Sequence, residues 1–314
     1  MRNAFAAEIT ERAAEDRRIV LLSGDIGNRL FDPFKASFPE RFHNCGVAEA
    51  NMVGVSAGLA LSGFRPVLYT IAPFITSRCF EQVKLDLCYH SLPVVVVGVG
   101  GGLSYASLGV THHSFEDIAL LRALPGMTVV CPGDPVEVRL ALRAALSQDG
   151  PVYIRLGKKG EPVVHKNPPA FSLGRGIVVR TGTEVCLLST GNLLPHALTA
   201  AEELAKRGVS TSVVSIHTVK PLDDALLEET AAEYRLVVTL EEHSLAGGFG
   251  SAVAEWMADR RKSVPLLRLG MRDEFLPEAG GQTHARCFFG LSSEQLCERI
   301  ADALHHKPIF KEAP

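Results

Sequence analysis

The chain has 314 residues and a net charge of −3, from 32 Lys and Arg against 35 Asp and Glu. With 46% hydrophobic and 21% charged residues it is not a disordered chain, which needs fewer apolar groups and more net charge. The balanced charge, without basic blocks, argues against nucleic acid as the main partner, and the longest apolar runs, 52–61 and 92–99, are too short to span a membrane.

The length corresponds to about two domains, each large enough to bury its own core. The first 18 residues, MRNAFAAEITERAAEDRR, are amphipathic and contain acidic groups, so they do not read as a signal peptide. Seven cysteines, at 45, 79, 88, 131, 186, 287 and 297, are odd in number and form no CxxC pair. A reduced, cytoplasmic setting without a zinc site is the expectation.

Apolar strand-like runs then alternate with helical periodicity. Strands are expected at 19–22, 65–69, 93–98, 128–131 and 152–155, with helices over 74–90, 114–123 and 135–147. The strands are rich in Val and Ile and lack alternation, which predicts burial on both faces of a parallel sheet. In the Asp134-Pro135-Val136-Glu137 segment, Asp134 is the expected N-cap, with Pro at the first helical position and Glu137 able to reach back. Composition shifts at 157–173, a stretch with three prolines and little periodicity that reads as a linker. The alternation restarts beyond it. Strands at 185–189, 210–216, 236–240 and 265–269 interleave with helices at 194–206, 225–232, 248–257 and 292–304. The expected fold is α/β, with largely parallel, helix-covered sheets in two domains, 1–156 and 174–314.

Two familiar motifs fail on context. Gly98, Gly100, Gly101 and Gly102 follow a strand, but a dinucleotide fingerprint needs glycine where Leu103 stands. These glycines are expected to let a loop approach a ligand or a neighbouring chain closely. The GVSAG sequence around Ser56 matches a hydrolase elbow but lies inside a helical run over 49–61, where a serine cannot project as that nucleophile does. Small residues at this spacing suit close packing against another chain. Glu49 opens the same helix, where a carboxylate simply favours the positive end of the helix dipole. The loop 100–114 follows a strand's C-terminal end, where open α/β sheets bind ligands, and carries His112 and His113. Taken alone, such a pair is also consistent with surface or core histidines.

Five segments, in order and at their spacings, carry a resemblance: SGDIG (23–27), NCGVAEANMVGVSAGLA (44–60), YTIAPFITSRCFEQV (69–83), THHSFEDIALLRALPGM (111–127) and LEEHSLAGGFGSAVAE (240–255). Together the chain resembles the C-terminal part of transketolases and related thiamine-diphosphate enzymes over nearly its whole length. The resemblance implies a pyrimidine-binding domain at 1–156 and a transketolase C-terminal domain at 174–314. The family holds the diphosphate and Mg²⁺ through a GDG motif followed at a distance by Asn, in a separate N-terminal domain. No GDG occurs here, and Asp134 is followed by Pro. The chain thus looks like the C-terminal subunit of a split transketolase, needing a partner subunit with the GDG…N motif. An α₂β₂ assembly with contacts between β subunits follows from the family's cofactor lying between domains of different chains.

The same resemblance implies individual roles. Glu49 matches the activating glutamate, whose carboxyl bonds N1′ of the cofactor's aminopyrimidine so that the ring's own 4′ nitrogen acts as base. Phe74 falls where an aromatic stacks on that ring. Asp25 matches an acidic residue near the thiazolium. His112 matches a histidine that contacts the hydroxyls of sugar donor and acceptor. Arg2 and Arg155 align with arginines that hold the sugar phosphate. Three positions depart: Gly100 and Leu108 replace a His and an Asp that read substrate, and Arg29 replaces a phosphate-binding Ser. A cofactor core that is kept beside a substrate channel that is changed suggests a specialised ketol transfer, onto an unusual sugar or a biosynthetic acceptor. The alternatives are the β subunit of a 2-oxoacid dehydrogenase E1, a deoxyxylulose-phosphate synthase-like enzyme, or a non-catalytic partner, against which Glu49 argues.

Overall fold

The computed structural model describes residues 1–305 apart from 28, 159 and 279. The run at 306–314, where the second domain was expected to end, lies outside the described residues. Twelve strands are found among them: β1 (Ile19–Ser23), β2 (Phe42–Asn44), β3 (Arg65–Ile71), β4 (Val95–Val99), β5 (Thr128–Val130), β6 (Val152–Leu156), β7 (Ile177–Arg180), β8 (Val185–Ser189), β9 (Thr211–Ser215), β10 (Thr218–Lys220), β11 (Leu236–Ser244) and β12 (Leu266–Met271). They form a seven-stranded sheet in the order β10-β5-β6-β4-β3-β1-β2 and a five-stranded sheet in the order β12-β11-β8-β9-β7. Every pairing is parallel except β10 with β5 and β7 with β9.

The reason is visible in side-chain burial. All five residues of β1, β4, β6 and β8 are buried, as strands covered on both faces require. On one face of the first sheet, Leu22, Leu68 and Val96 pack with Met52 and Val53 of the helix Glu49–Leu61. The other face packs Leu21, Val67 and Val97 against the helices Arg2–Glu15 and Pro135–Leu146. Between those two helices Glu8 is fully buried and is held by Arg139 at 3.1 Å and Arg143 at 2.6 Å. These arginines hold its carboxyl below the usual range against the opposing effect of burial.

The two sheets share one apolar core. Val129 and Tyr153 of the first sheet, with Cys131 just beyond β5, lie in the same cluster as Cys186, Leu188, Val214 and Phe249 of the second half. β10 also crosses over, pairing Thr218 with Val130 in the first sheet. Three residues are too short to show periodicity, so this strand was not expected.

One expected helix is broken. The span 74–90 resolves into a turn of helix at Ala72–Ile75, a second at Phe80–Gln82, and a π-helical turn over Val83–Cys88. The side chains of Thr76 and Ser77 donate to the carbonyls of Ala72 and Pro73, at 2.8 and 3.0 Å, and compete with the helical ladder. The break leaves Phe74 and Arg78 at the sheet's C-terminal edge.

The stretch expected as a linker is a strap pinned at three points. Glu161 accepts from the N-terminal ammonium at 3.1 Å, the N–H groups of Val164 and His165 donate to Asp134, and Phe171 stacks on His217 with centroids 4.0 Å apart. No helix among the described residues is long and apolar enough to cross a membrane.

Candidate active site

Parallel strands bring their C-terminal ends to one edge of the sheet, and the loops that leave that edge carry the candidate residues. From β1 come Gly24 and Asp25, from β2 Asn44 and then Glu49, from β3 Phe74 and Arg78, and from β4 the loop bearing His112.

Glu49 is the first residue of its helix and only 2% exposed. Its Oε2 accepts from Arg78 Nη1 at 2.9 Å, and the Thr70 hydroxyl lies 3.5 Å from Oε1. The Arg78 guanidinium lies 4.4 Å above the centre of the Phe74 ring, a favourable place for a cation. Phe74 in turn meets His112 edge-on, with centroids 5.2 Å apart, and Tyr105 lies 6.2 Å beyond. The structure therefore joins Glu49, Arg78, Phe74 and His112 in one continuous wall. A Cβ on Gly24 would lie 2.8 Å from Thr70 Oγ1 and 3.4 Å from Glu49 Cγ, so only glycine leaves room beside the carboxylate.

Asp25 is exposed, with a left-handed φ of 55°. Asn44 holds this turn, donating from Nδ2 to Asp25 Oδ1 at 2.9 Å and accepting from Asp25 N at 3.2 Å and Gly46 N at 3.0 Å. Asn44 and Arg78 were not singled out in the sequence. Arg78 stands four residues after Phe74, a spacing that signals contact only on an unbroken helix.

The His112 ring is half-buried, and Nδ1 lies 2.9 Å from the Thr111 hydroxyl. Burial, aided by the neighbouring His113, lowers its pKa and favours the neutral ring. His113 points inward, with Nε2 3.3 Å from the Ala106 carbonyl. Arg2 approaches from the opposite face of the sheet, donating from Nε to the hydroxyl of Tyr69 at 3.0 Å.

Arg155 is placed differently from the expectation of a phosphate ligand. It is 5% exposed, and its Nε donates to Asp117 at 2.7 Å while Nη2 donates to the carbonyls of Ser114 and Glu242, both at 3.0 Å. This guanidinium is built into the junction between the two halves of the chain, so the substrate role expected for it is withdrawn. The glycines before it also serve the chain itself. A Cβ on Gly101 would meet Arg155 at 2.6 Å, and one on Gly102 would meet the Glu242 carbonyl at 2.5 Å, so these glycines allow a close approach to the protein's own junction residues. Ser56 donates to the Val53 carbonyl at 2.7 Å within its helix, as a structural serine does.

The wall fits an aminopyrimidine: a buried carboxylate, a flat ring beside it, and a backbone cradle at Gly24 that any Cβ would fill. Among the described residues, the same edge does not present a group of three or more metal-type donors. Among the described residues, Asp134, Glu137 and His165 form a close group of metal-type donors, but N–H groups already occupy it. Asp134 Oδ1 accepts from Glu137 N at 2.8 Å, Oδ2 from Val164 N and His165 N, and Glu137 Oε2 from Gly133 N at 2.6 Å. Asp134 is thus the expected helix cap, and Glu137 reaches one residue further back than a capping box requires. A groove of about 700 Å³ between the helices Arg2–Glu15 and Asp32–Ser37 is lined by neither Glu49, Phe74 nor His112, so it is a separate feature.

Fold and site together define a two-domain α/β chain with a buried carboxylate and a flat aromatic ring at the C-terminal edge of its first sheet. The family description "Transketolase, pyrimidine binding domain" matches residues 1–161, and "Transketolase, C-terminal domain" matches residues 174–296. The chain is 37% identical over 308 residues to the 6-deoxy-6-sulfo-D-fructose transketolase subunit SqwH of Clostridium sp. (strain MSTE9), covering 98% of this chain and 95% of that one. A solved structure described as a split gene transketolase, inactive beta4 tetramer, superposes with a TM-score of 0.87 at 36% identity, covering 96% of this chain and 97% of that one. The 1-deoxy-D-xylulose-5-phosphate synthase of Thermomicrobium roseum is 38% identical over 303 residues, but those cover 95% of this chain and only 47% of that enzyme. The chain belongs to the transketolase family, as a subunit of the split type with the pyrimidine-binding and C-terminal domains.

Proposed function

We propose that this subunit, with a separate N-terminal subunit, transfers a two-carbon ketol unit from a ketose donor to an aldehyde acceptor. The observation that carries the reading is the wall in which buried Glu49 is joined through Arg78 and Phe74 to His112. Thiamine diphosphate, when bound, supplies the nucleophilic carbon and the electron sink for breaking and making the carbon–carbon bond. The partner's GDG…N motif would hold its diphosphate and Mg²⁺.

Within this chain, Glu49 accepts the hydrogen bond that selects the reactive tautomer of the pyrimidine. Phe74 offers a flat surface for the same ring, and Asp25 places negative charge near the thiazolium. The neutral His112 ring accepts a proton from a sugar hydroxyl and returns it. Arg2 is the remaining candidate for a phosphate or similar anion at the sugar's far end. Gly100, the half-exposed Leu108 and Arg29 stand where the family reads a pentose phosphate, which supports a specialised sugar substrate. That one relative is named for a sulfonated sugar agrees with this direction.

An α₂β₂ heterotetramer fits the helix Glu49–Leu61, which exposes Gly54, Val55 and Gly58. All seven cysteines are free, in keeping with a reducing cytoplasm, and ketol transfer between sugars would place the chain in carbohydrate metabolism. The decisive experiment mixes this chain with its N-terminal partner and assays ketose donors against pyruvate, while calorimetry follows thiamine diphosphate plus Mg²⁺. Turnover by the mixture alone, with ketose donors, is expected. Full activity of the single chain would overturn the split arrangement, and turnover of pyruvate would favour a deoxyxylulose-phosphate synthase-like reaction, to which the 38% identity lends weight.

A further inference from the structure

None of the roles assigned so far falls on the second half of the chain, yet its strand β11 grips the loop that carries His112. We propose that Glu242, on β11, is a positioning residue for His112 and that the C-terminal domain thereby sets the geometry of substrate proton transfer. The inference rests on the reading of His112 as a substrate contact.

Glu242 is 1% exposed. Its Oε1 accepts the N–H of Leu103 at 2.8 Å, a contact between residues 139 positions apart. Gln282 donates to the same oxygen at 3.0 Å, and Arg286 Nε donates to Oε2 at 2.5 Å. Arg286 therefore supplies the counter-charge that a buried carboxylate requires, while the oxygen facing the loop holds a backbone N–H, a stronger acceptor than a neutral group would be. The main chain of β11 grips the other end. The Glu242 carbonyl and the Ser114 carbonyl share Nη2 of Arg155, each at 3.0 Å, and Ser244 N donates to the Phe115 carbonyl at 2.9 Å. Gly102 and Ser114 exchange N–H···O bonds of 3.1 Å, which closes the base of the loop. Both ends of the loop are thus fastened within three residues of one strand, and His112 stands two residues from the fastened end. A shift of the base by an ångström would move the imidazole by as much, and displacements of that size cost rates heavily.

The test uses the complex reconstituted with the N-terminal subunit. Glu242→Gln keeps the shape but replaces one of the two acceptor oxygens with an NH₂ donor and removes the charge, so a single carbonyl oxygen faces both Leu103 N–H and Arg286. This variant should lower kcat/KM for the ketose about tenfold and raise deuterium uptake over 103–113. Thiamine diphosphate affinity should stay unchanged, because Glu49 and Phe74, the residues assigned to the pyrimidine ring, lie on other elements. If this variant does not assemble, Glu242→Asp takes its place with the same expectation, since it keeps the charge beside Arg286 but withdraws from Leu103. The discriminating measurement is a cycle with His112→Ala. A positioning role predicts that Glu242→Gln costs no more than about twofold once His112 is gone. Arg286→Lys, which keeps a counter-charge beside Glu242 and leaves the Leu103 contact in place, separates this from simple domain adhesion and should cost less in kcat/KM than Glu242→Gln. Fully multiplicative losses from the two changes, or an unaltered kcat/KM in Glu242→Gln, would overturn the proposal. An unaltered kcat/KM in His112→Ala would instead remove the reading of His112 on which it stands.

Discussion

Glu49 meets two demands with one side chain. As the first residue of its helix it favours the positive end of the helix dipole, and as a buried carboxylate it meets Arg78 and Thr70 at the strand edge. Replacing it with Gln keeps the volume but removes the charge, so the reconstituted complex should lose roughly 10²- to 10⁴-fold in turnover while still assembling; ketol-transfer assays and gel filtration read the two outcomes separately. His112 gives a pH signature. Its pKa lies below the ordinary 6.5, because burial and His113 oppose its charge, so the ring stays neutral further into acid. Activity should therefore fall on the acid side with a midpoint below 6.5, and His112→Asn should abolish that limb of the profile. Both residues were legible in the sequence through the motifs around them. Arg78 was not, because it reaches Glu49 only where the chain leaves its helical path.

The helix Pro135–Leu146 shows how much one cap can hold. Asp134 satisfies the helix through Oδ1 and the strap through Oδ2, so Asp134→Ala removes three hydrogen bonds. A loss of about 1–2 kcal/mol belongs to the cap alone, and urea unfolding should show at least that. Beside it, His165 donates to Glu137 at 2.7 Å and is 7% exposed. Burial works against its charge, but the bond to Glu137 and the nearby Asp134 outweigh this and raise its pKa. A group whose pKa is raised on folding adds stability that is fully present below its unfolded value and is lost as pH rises through the folded one. The stability difference between the native chain and His165→Phe should therefore be largest below about pH 6.5 and shrink toward alkaline pH, as urea midpoints across a pH series would record. The cap was readable from four residues. The strap's second attachment was not, since prolines and irregular polar residues mark a linker without saying what it touches.

The two halves of the chain are joined by buried charge as well as by the common core. Asp117 is fully buried between Arg155 and Tyr153, whose hydroxyl donates to it at 2.7 Å. Asp117→Asn would leave Arg155 buried without its counter-charge, a change that costs about 3–5 kcal/mol. Equilibrium unfolding should show a loss of that order, whereas an Arg155 engaged with substrate would have changed KM and spared stability. His243 lies in the same junction, and burial pushes its pKa down to about 4. Acidification between its ordinary value and about 4 should therefore weaken the junction, because unfolding lets the ring take up a proton that the folded state refuses.

The sequence by itself determined the class of fold, the order of its two domains and which residues stand at the strand edge that carries the candidate site. Local periodicity records which faces are buried, and a motif such as NCGVAEAN fixes what stands at a strand's end. The resemblance to a split transketolase likewise pointed to a separate partner subunit before any coordinate. Only the tertiary structure decided the fate of Arg155, the grip of Glu242 on Leu103, the crossing of β10 into the first sheet and the meeting of Arg78 with Glu49. In each case the outcome is a polar bond between segments that lie apart in sequence. Such bonds depend on donor and acceptor positions that exist only once the sheets have packed, and no local pattern records them.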